Sequence, residues 1–119
     1  MDEDELKKRT KEFAIRVMRL VKSLPRTLEG RAIGNQLIRA GTSVGANYRA
    51  VCRARSRAEF VAKLGIVEEE ADESAFWIEV IIEGRLMPEK RVRPLLREAN
   101  EIVAIMAASR KSAKRSRQE

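Results

Sequence analysis

The densest group of potential metal ligands is Glu68, Glu69, Glu70, Asp72 and Glu73, within the run Glu68-Glu69-Glu70-Ala71-Asp72-Glu73. Carboxylates on facing helices can hold a di-iron centre, but such sites also use Glu-x-x-His pairs. The sequence contains no His. Neither the first nor the last helical stretch offers a matching inward carboxylate, so the run reads as a solvated helix face paired with nearby arginines. No metal and no other cofactor is expected.

Nucleophilic chemistry fares no better. Without His, the Ser–His and Cys–His pairs are absent, as is the commonest general base. Cys52 is the one thiol, so no internal disulfide or cysteine-based zinc site can form. Adjacent arginines favour its thiolate, yet a small buried hydrophobe is the simpler role. Glu59, Lys63 and Glu70 lie along one flank of a helix, and Glu59–Lys63 is an ordinary surface pair. Ser43 and Asn47, four apart, offer a buried polar contact that fixes helix register. No glycine-rich phosphate loop is present. No catalytic residue is assigned, and an enzyme is not expected.

The cations are the remaining chemical signal. Between Gly30 and Ala58 the sequence has Arg31, Arg39, Arg49, Arg53, Arg55 and Arg57 and no acid, and the C-terminal stretch adds Arg110, Lys111, Lys114 and Arg115. Guanidinium binds phosphate bidentately and stays ionised. Aromatics are only 4% of the chain, so base stacking is not indicated. The net charge of +7 fits a phosphate-bearing partner, RNA or DNA, held through its backbone. A solubilising face, or pairing with the acidic run of a neighbouring subunit, accounts for the same residues.

These side chains must be carried by helices. The 119 residues are 44% apolar and 36% charged, dominated by residues that lose little freedom in a helix, and no alternating strand pattern occurs. The spacing predicts one helix over about Asp4–Ser23, with Leu6, Phe13, Val17, Leu20 and Leu24 inward, ended by Pro25. A second follows an N-cap at Thr27 and runs over about Leu28–Arg53, with Ile33, Leu37, Ala40, Val44, Tyr48 and Val51 inward. Ser56 with Glu59 three residues later marks the start of a third. It buries Phe60, Leu64, Val67, Ala71, Ile78 and Ile81 and stops at Gly84. Pro88 opens the fourth, with Val92, Leu95, Leu96, Ala99, Ile102, Val103 and Met106 on one face. Pro94 predicts a kink, or a turn before a helix starting near Arg93. From about Ser112 to Glu119 the basic tail is expected to fray. The fold class is therefore all-α, a single antiparallel up-down-up-down four-helix bundle.

Two helices carry more apolar surface than a lone bundle needs. Ile66, Trp77 and Val80 fall nearly opposite the core stripe of the third helix, with Phe76 on its flank. In the second, Ile38 lies beside Gly34, Gly41 and Gly45, which share one strip. Each interior glycine costs about 1 kcal/mol relative to Ala, so the strip implies close approach of another backbone. That backbone is either a helix of the same chain or a second subunit; a subunit interface made by Gly34, Ile38, Gly41, Gly45, Ile66, Phe76, Trp77 and Val80 is the expectation. The acidic start Met1-Asp2-Glu3-Asp4-Glu5 is unlike a signal peptide, and the longest apolar run, Ile102 to Ala108, is too short to span a bilayer. A cytoplasmic protein without a membrane partner is expected.

The stretch Arg39-Ala40-Gly41-Thr42-Ser43-Val44-Gly45-Ala46-Asn47, continued by Arg53-Ala54-Arg55-Ser56-Arg57-Ala58-Glu59-Phe60 and Lys63-Leu64-Gly65-Ile66, resembles a small bacterial four-helix-bundle family. That family was first recognised as reading frames in intervening sequences of large-subunit ribosomal RNA genes. Glu69-Glu70-Ala71-Asp72-Glu73 with Trp77, and Pro94-Leu95-Leu96-Arg97-Glu98-Ala99-Asn100-Glu101, carry the resemblance further, from about Arg16 to Ala113. Many members follow the asparagine with a small apolar pair and Glu-Gly; here Tyr48-Arg49-Ala50-Val51 follows Asn47. The resemblance implies a ring-like homopentamer of ribosomal-protein-like bundles. It also implies kinship with the accessory variability proteins of diversity-generating retroelements, in which a basic pentamer binds nucleic acid and a reverse transcriptase. The expected function is a non-enzymatic, oligomeric nucleic-acid-binding accessory protein, RNA before DNA. The alternative is a homo-oligomeric scaffold for a protein partner.

Overall fold

The structure, a computed structural model, describes the backbone of residues 1–118 and the side chains of residues 1–115. Four helices follow one another: α1 (Glu3–Lys22), α2 (Leu28–Val51), α3 (Arg57–Glu83) and α4 (Glu89–Gln118). The starts of the first three are set by side-chain caps that satisfy otherwise unpaired N–H groups. The Asp2 carboxylate accepts from the Glu5 N–H, the Thr27 hydroxyl from Gly30 and the Ser56 hydroxyl from Glu59. Glu59 turns back to accept from the Arg55 N–H at 3.0 Å, one residue before the cap.

Each helix packs on its chain neighbour, and α4 returns to α1 to close the square; the α1–α4 contact is the slightest, and among the described residues no diagonal pair brings its backbones within 8 Å. The partners run antiparallel. Gly45 faces Thr10 while Gly34 faces Val21 and Leu24. The Arg57 guanidinium reaches the Ala113 carbonyl, and Arg91 reaches Ser23. The result is an elongated bundle of 51 × 22 × 20 Å.

The expected inward stripes form one core. Phe13, Val17, Leu37, Val44, Leu64, Ile78, Ile102 and Met106 lose essentially all exposure, and Ile33, Phe60 and Val103 pack half-buried against them. Thr10 and Ser74 are buried too, their hydroxyls donating to the Leu6 and Glu70 carbonyls one turn back. The side chains of Ser43 and Asn47 do not bond to each other. Ser43 donates to the Arg39 carbonyl and the Asn47 amide to the Ser43 carbonyl, so both serve their own helix.

The turn expected as one alternative at Pro94, before a helix starting near Arg93, does not form. The helix begins at Glu89 and runs through Pro94. Pro94 is the sixth residue, so its missing N–H leaves only the Lys90 carbonyl without its intrahelical donor, close to an exposed end. The helix continues past Ser112 to Gln118. The side chains of Ser116 to Glu119 lie outside the described residues. At the end of α3, Gly84 caps with ordinary negative φ, and it is Arg85 that takes the left-handed conformation, at φ 57°.

The glycine strip is a correction. A Cβ on Gly41 would meet the Val17 side chain at 2.7–3.1 Å, one on Gly34 would meet Val21 at 3.2 Å, and one on Gly45 the Thr10 carbonyl at 3.2 Å. The close backbone is α1 of the same chain. Gly34, Gly41 and Gly45 therefore belong to the α1–α2 packing and not to a subunit surface.

Candidate nucleic-acid interface

Antiparallel packing gathers the N-terminus of α1, the C-terminus of α2, the start of α3 and the end of α4 at one end of the bundle. Arg49, Arg53, Arg55, Arg57, Lys111, Lys114 and Arg115 all lie there, and all are exposed. Among the described residues none of the seven is in a salt bridge. The turn from α2 to α3 and the facing α4 enclose a hollow of about 420 Å³ lined by Arg55, Ser56, Arg57, Phe60 and Ala113.

A second concavity extends this surface. Between α1 and α2 runs a groove of about 580 Å³ lined by Lys7, Lys8, Lys11, Gly45, Ala46 and Arg49, with Asp4 as its one carboxylate. Lys7 is held 3.5 Å from Glu3, whereas Lys8 and Lys11 carry no ion pair among the described residues. These lysines were not singled out from the sequence. They sit on α1 beside an acidic start, and only the antiparallel register brings them to Arg49. The groove is wide because Gly45 and Ala46 leave its floor low.

Three expected phosphate ligands are placed otherwise. Arg39 reaches across to α3, where Glu70 accepts at 3.4 Å and Glu73 also bonds it. The Glu73 carboxyl is held below the usual range by the Trp77 indole N–H and by Arg39. Arg110 donates twice to Glu68, at 3.1 and 2.8 Å. The acidic run of α3 thus consumes two of the expected cations. Arg31 is exposed, but it bonds the Arg26 carbonyl at the opposite end of the bundle. At 1.5 Å per residue it lies about 33 Å from Arg53 along α2.

The expected interface residues of α3 divide. Ile66 and Phe76 are 45% and 52% exposed, and Phe76 meets the Trp77 ring edge-on at 4.9 Å. Trp77 is half-buried against the core, while Ile38 and Val80 are half-buried on the outer flank. On α1, Ile15 and Met18 are exposed as well.

No three or more Cys, Asp and Glu side chains cluster as metal ligands among the described residues. No buried side-chain polar atom there lacks a partner. Cys52 is half-buried against the core, and burial with Glu3 beside it pushes its thiol up, away from a reactive thiolate. Burial likewise pushes the Tyr48 phenol up. No described helix is long and apolar enough to cross a membrane.

Against known proteins, residues 3–108 match the model of the 23S rRNA-intervening sequence protein family. The chain belongs to this family. A crystal structure of an S23 ribosomal protein family member of unknown function, from Bacteroides thetaiotaomicron, superposes with a TM-score of 0.85. The two share 32% identity over 93% of this chain and 99% of that one. Among curated proteins none matches significantly. The 23S rRNA-intervening sequence family is ribosomal-protein-like, and neither match points to an enzyme.

Proposed function

We infer that the protein is a non-enzymatic, homo-oligomeric accessory protein that binds RNA through the basic end of the bundle. The carrying observation is the group Arg49, Arg53, Arg55, Arg57, Lys111, Lys114 and Arg115, exposed and without a salt-bridge partner among the described residues. Lys8 and Lys11 widen it along the α1–α2 groove. Cations spread over a convex end with two shallow hollows suit a phosphate backbone better than a base edge. Binding of that kind is salt-sensitive and weakly sequence-specific. The family's ties to ribosomal RNA genes favour RNA over DNA.

Self-association rests on the exposed Ile66 and Phe76, with the half-buried Val80 and Ile38. Such a patch is covered in a stable assembly, and a closed ring of five, the number implied by the family resemblance, would repeat one heterologous contact. A ring would also repeat the basic end five times and multiply weak phosphate contacts by avidity.

Light scattering on nuclease-treated protein, with and without a short structured RNA, tests both parts. The reading expects an oligomer whose mass rises with RNA at low salt and returns as salt increases. An oligomer indifferent to RNA leaves the protein-scaffold alternative, and a monomer removes self-association.

A further inference from the structure

The slight contact between α1 and α4 leaves an opening far from the basic end. In the first half of α1 the seam is tied shut by Arg9, which donates to both oxygens of Glu98 at 2.7 Å and to Glu101 at 2.5 Å. Toward the C-terminus of α1 the helices part around a hollow of about 210 Å³, with Leu20 and Leu95 as its apolar floor. Its polar lining is Arg16, Arg19, Arg91 and the Ser23 hydroxyl, without a carboxylate.

Three guanidiniums around one concavity repel one another, and an apolar floor strengthens the field between them. Other arginines on the sides of the bundle are paired: Arg93 with Glu89 at 2.8 Å, Arg39 with Glu70 and Glu73, and Arg110 with Glu68. Arg16, Arg19 and Arg91 have no salt bridge among the described residues. Arg16 adds a little to the lowering of the Glu98 carboxyl, but both oxygens of that carboxylate already belong to Arg9. Arg19 also complements the negative end of α1, a duty Arg16 and Arg91 do not share.

We propose that Arg16, Arg19, Arg91 and Ser23 form a binding site for a single phosphate group at the α1–α4 seam. Guanidinium forks match the oxygens of a tetrahedral phosphate. Arg91 donates to the Ser23 oxygen at 3.2 Å, and the hydroxyl proton points to the Arg19 carbonyl at a long 3.3 Å. That proton can turn toward an anion at small cost. At about 30 Å³ per water the hollow has room for roughly seven waters, which fits one phosphate and part of its hydration rather than a whole mononucleotide. The site is separate from the basic end, since Arg91 and Lys111 are about 30 Å apart along α4. The phosphate comes either as a free ion or as one phosphodiester of a nucleic acid lying along the bundle.

The test is titration calorimetry of the full chain at fixed ionic strength, once with inorganic phosphate and once with a short structured RNA. It compares wild type with Arg16→Gln, Arg91→Gln and, as a control cation already paired on α3, Arg39→Gln. A tenfold or greater loss of inorganic phosphate affinity in Arg16→Gln and Arg91→Gln, but not in Arg39→Gln, establishes a free-phosphate site. If inorganic phosphate does not bind but RNA affinity falls at least threefold in both seam variants, the site takes a backbone phosphate. Arg91 is exposed, so Arg91→Gln carries the test alone if Arg16→Gln fails to fold by circular dichroism. Unchanged phosphate and RNA affinity in the seam variants, or an equal loss in all three variants, overturns the site.

Discussion

Replacing Gly41 by Ala puts a methyl group where α1 already is. The new carbon would lie 2.7, 2.8 and 3.1 Å from Val17 Cγ2, Cγ1 and Cβ, against about 3.5–4.0 Å for a comfortable carbon contact. Val17 is fully buried and, being β-branched in a helix, has few rotamers to retreat to. The helices must separate by up to about 1 Å, and three such contacts with one buried side chain put the overpacking cost at the upper end of the usual range, roughly 2–3 kcal/mol. Alanine's higher helix propensity returns about 1 kcal/mol, which leaves a net loss of roughly 1–2 kcal/mol. Gly65 is the control, because a Cβ there meets only the Arg110 Cδ at 3.8 Å. Gly65→Ala should therefore keep the full gain of about 1 kcal/mol. Urea denaturation followed by circular dichroism reads both, and thermal melts should show them moving in opposite directions by about 3–6 °C per kcal/mol. A Gly41→Ala protein as stable as wild type would refute the assignment of this strip to α1. So would a loss that depends on protein concentration, since that is the signature of an interface between subunits.

Arg9→Gln removes the tie between α1 and α4 and leaves Glu98 and Glu101 facing each other, for an expected loss of about 1–2 kcal/mol at neutral pH. Arg9 holds the Glu98 carboxyl below its ordinary value of 4.5. Its stabilisation is therefore complete above that value and fades as pH falls through the lowered one, so variant and wild-type denaturation midpoints should converge in acid. Arg85→Gly relieves a left-handed residue at φ 57° and should raise the melting temperature by a few degrees, equivalent to about 1 kcal/mol. Arg39→Gln and Arg110→Gln should lower stability slightly while leaving RNA affinity within about twofold, because both cations are already paired on α3; a large loss of RNA binding in either would return it to the interface.

The helices and the core were legible because their signals are local. Caps at Thr27 and Ser56 and stripes such as Leu37–Val44–Val51 depend on neighbours within a few turns, which spacing records directly. What spacing does not record is which helix stands opposite. Gly34, Gly41 and Gly45 announce a close backbone but not whose, and only the register against Val17 and Thr10 assigns them to α1. Arg39 and Arg110 look as free as Arg53 in the sequence; they are committed because α3 places Glu73 and Glu68 at their level. The contribution of Lys8 and Lys11 and the three-arginine seam hollow depend on residues 30 to 80 positions apart, with no shared motif. Pro94 misled for another reason: the rule against interior proline weakens in the first turns, where few backbone bonds exist to break.

The most direct test of the proposed interface is the salt dependence of RNA binding, measured for wild type and for a chain with Arg53, Arg55, Arg57 and Lys111 all changed to Gln. Each lost phosphate contact should reduce the slope of log affinity against log salt by about 0.7–0.9, so the account predicts a slope shallower by roughly 3 and a much weaker complex at low salt. Equal slopes and equal affinities for the two proteins would contradict it.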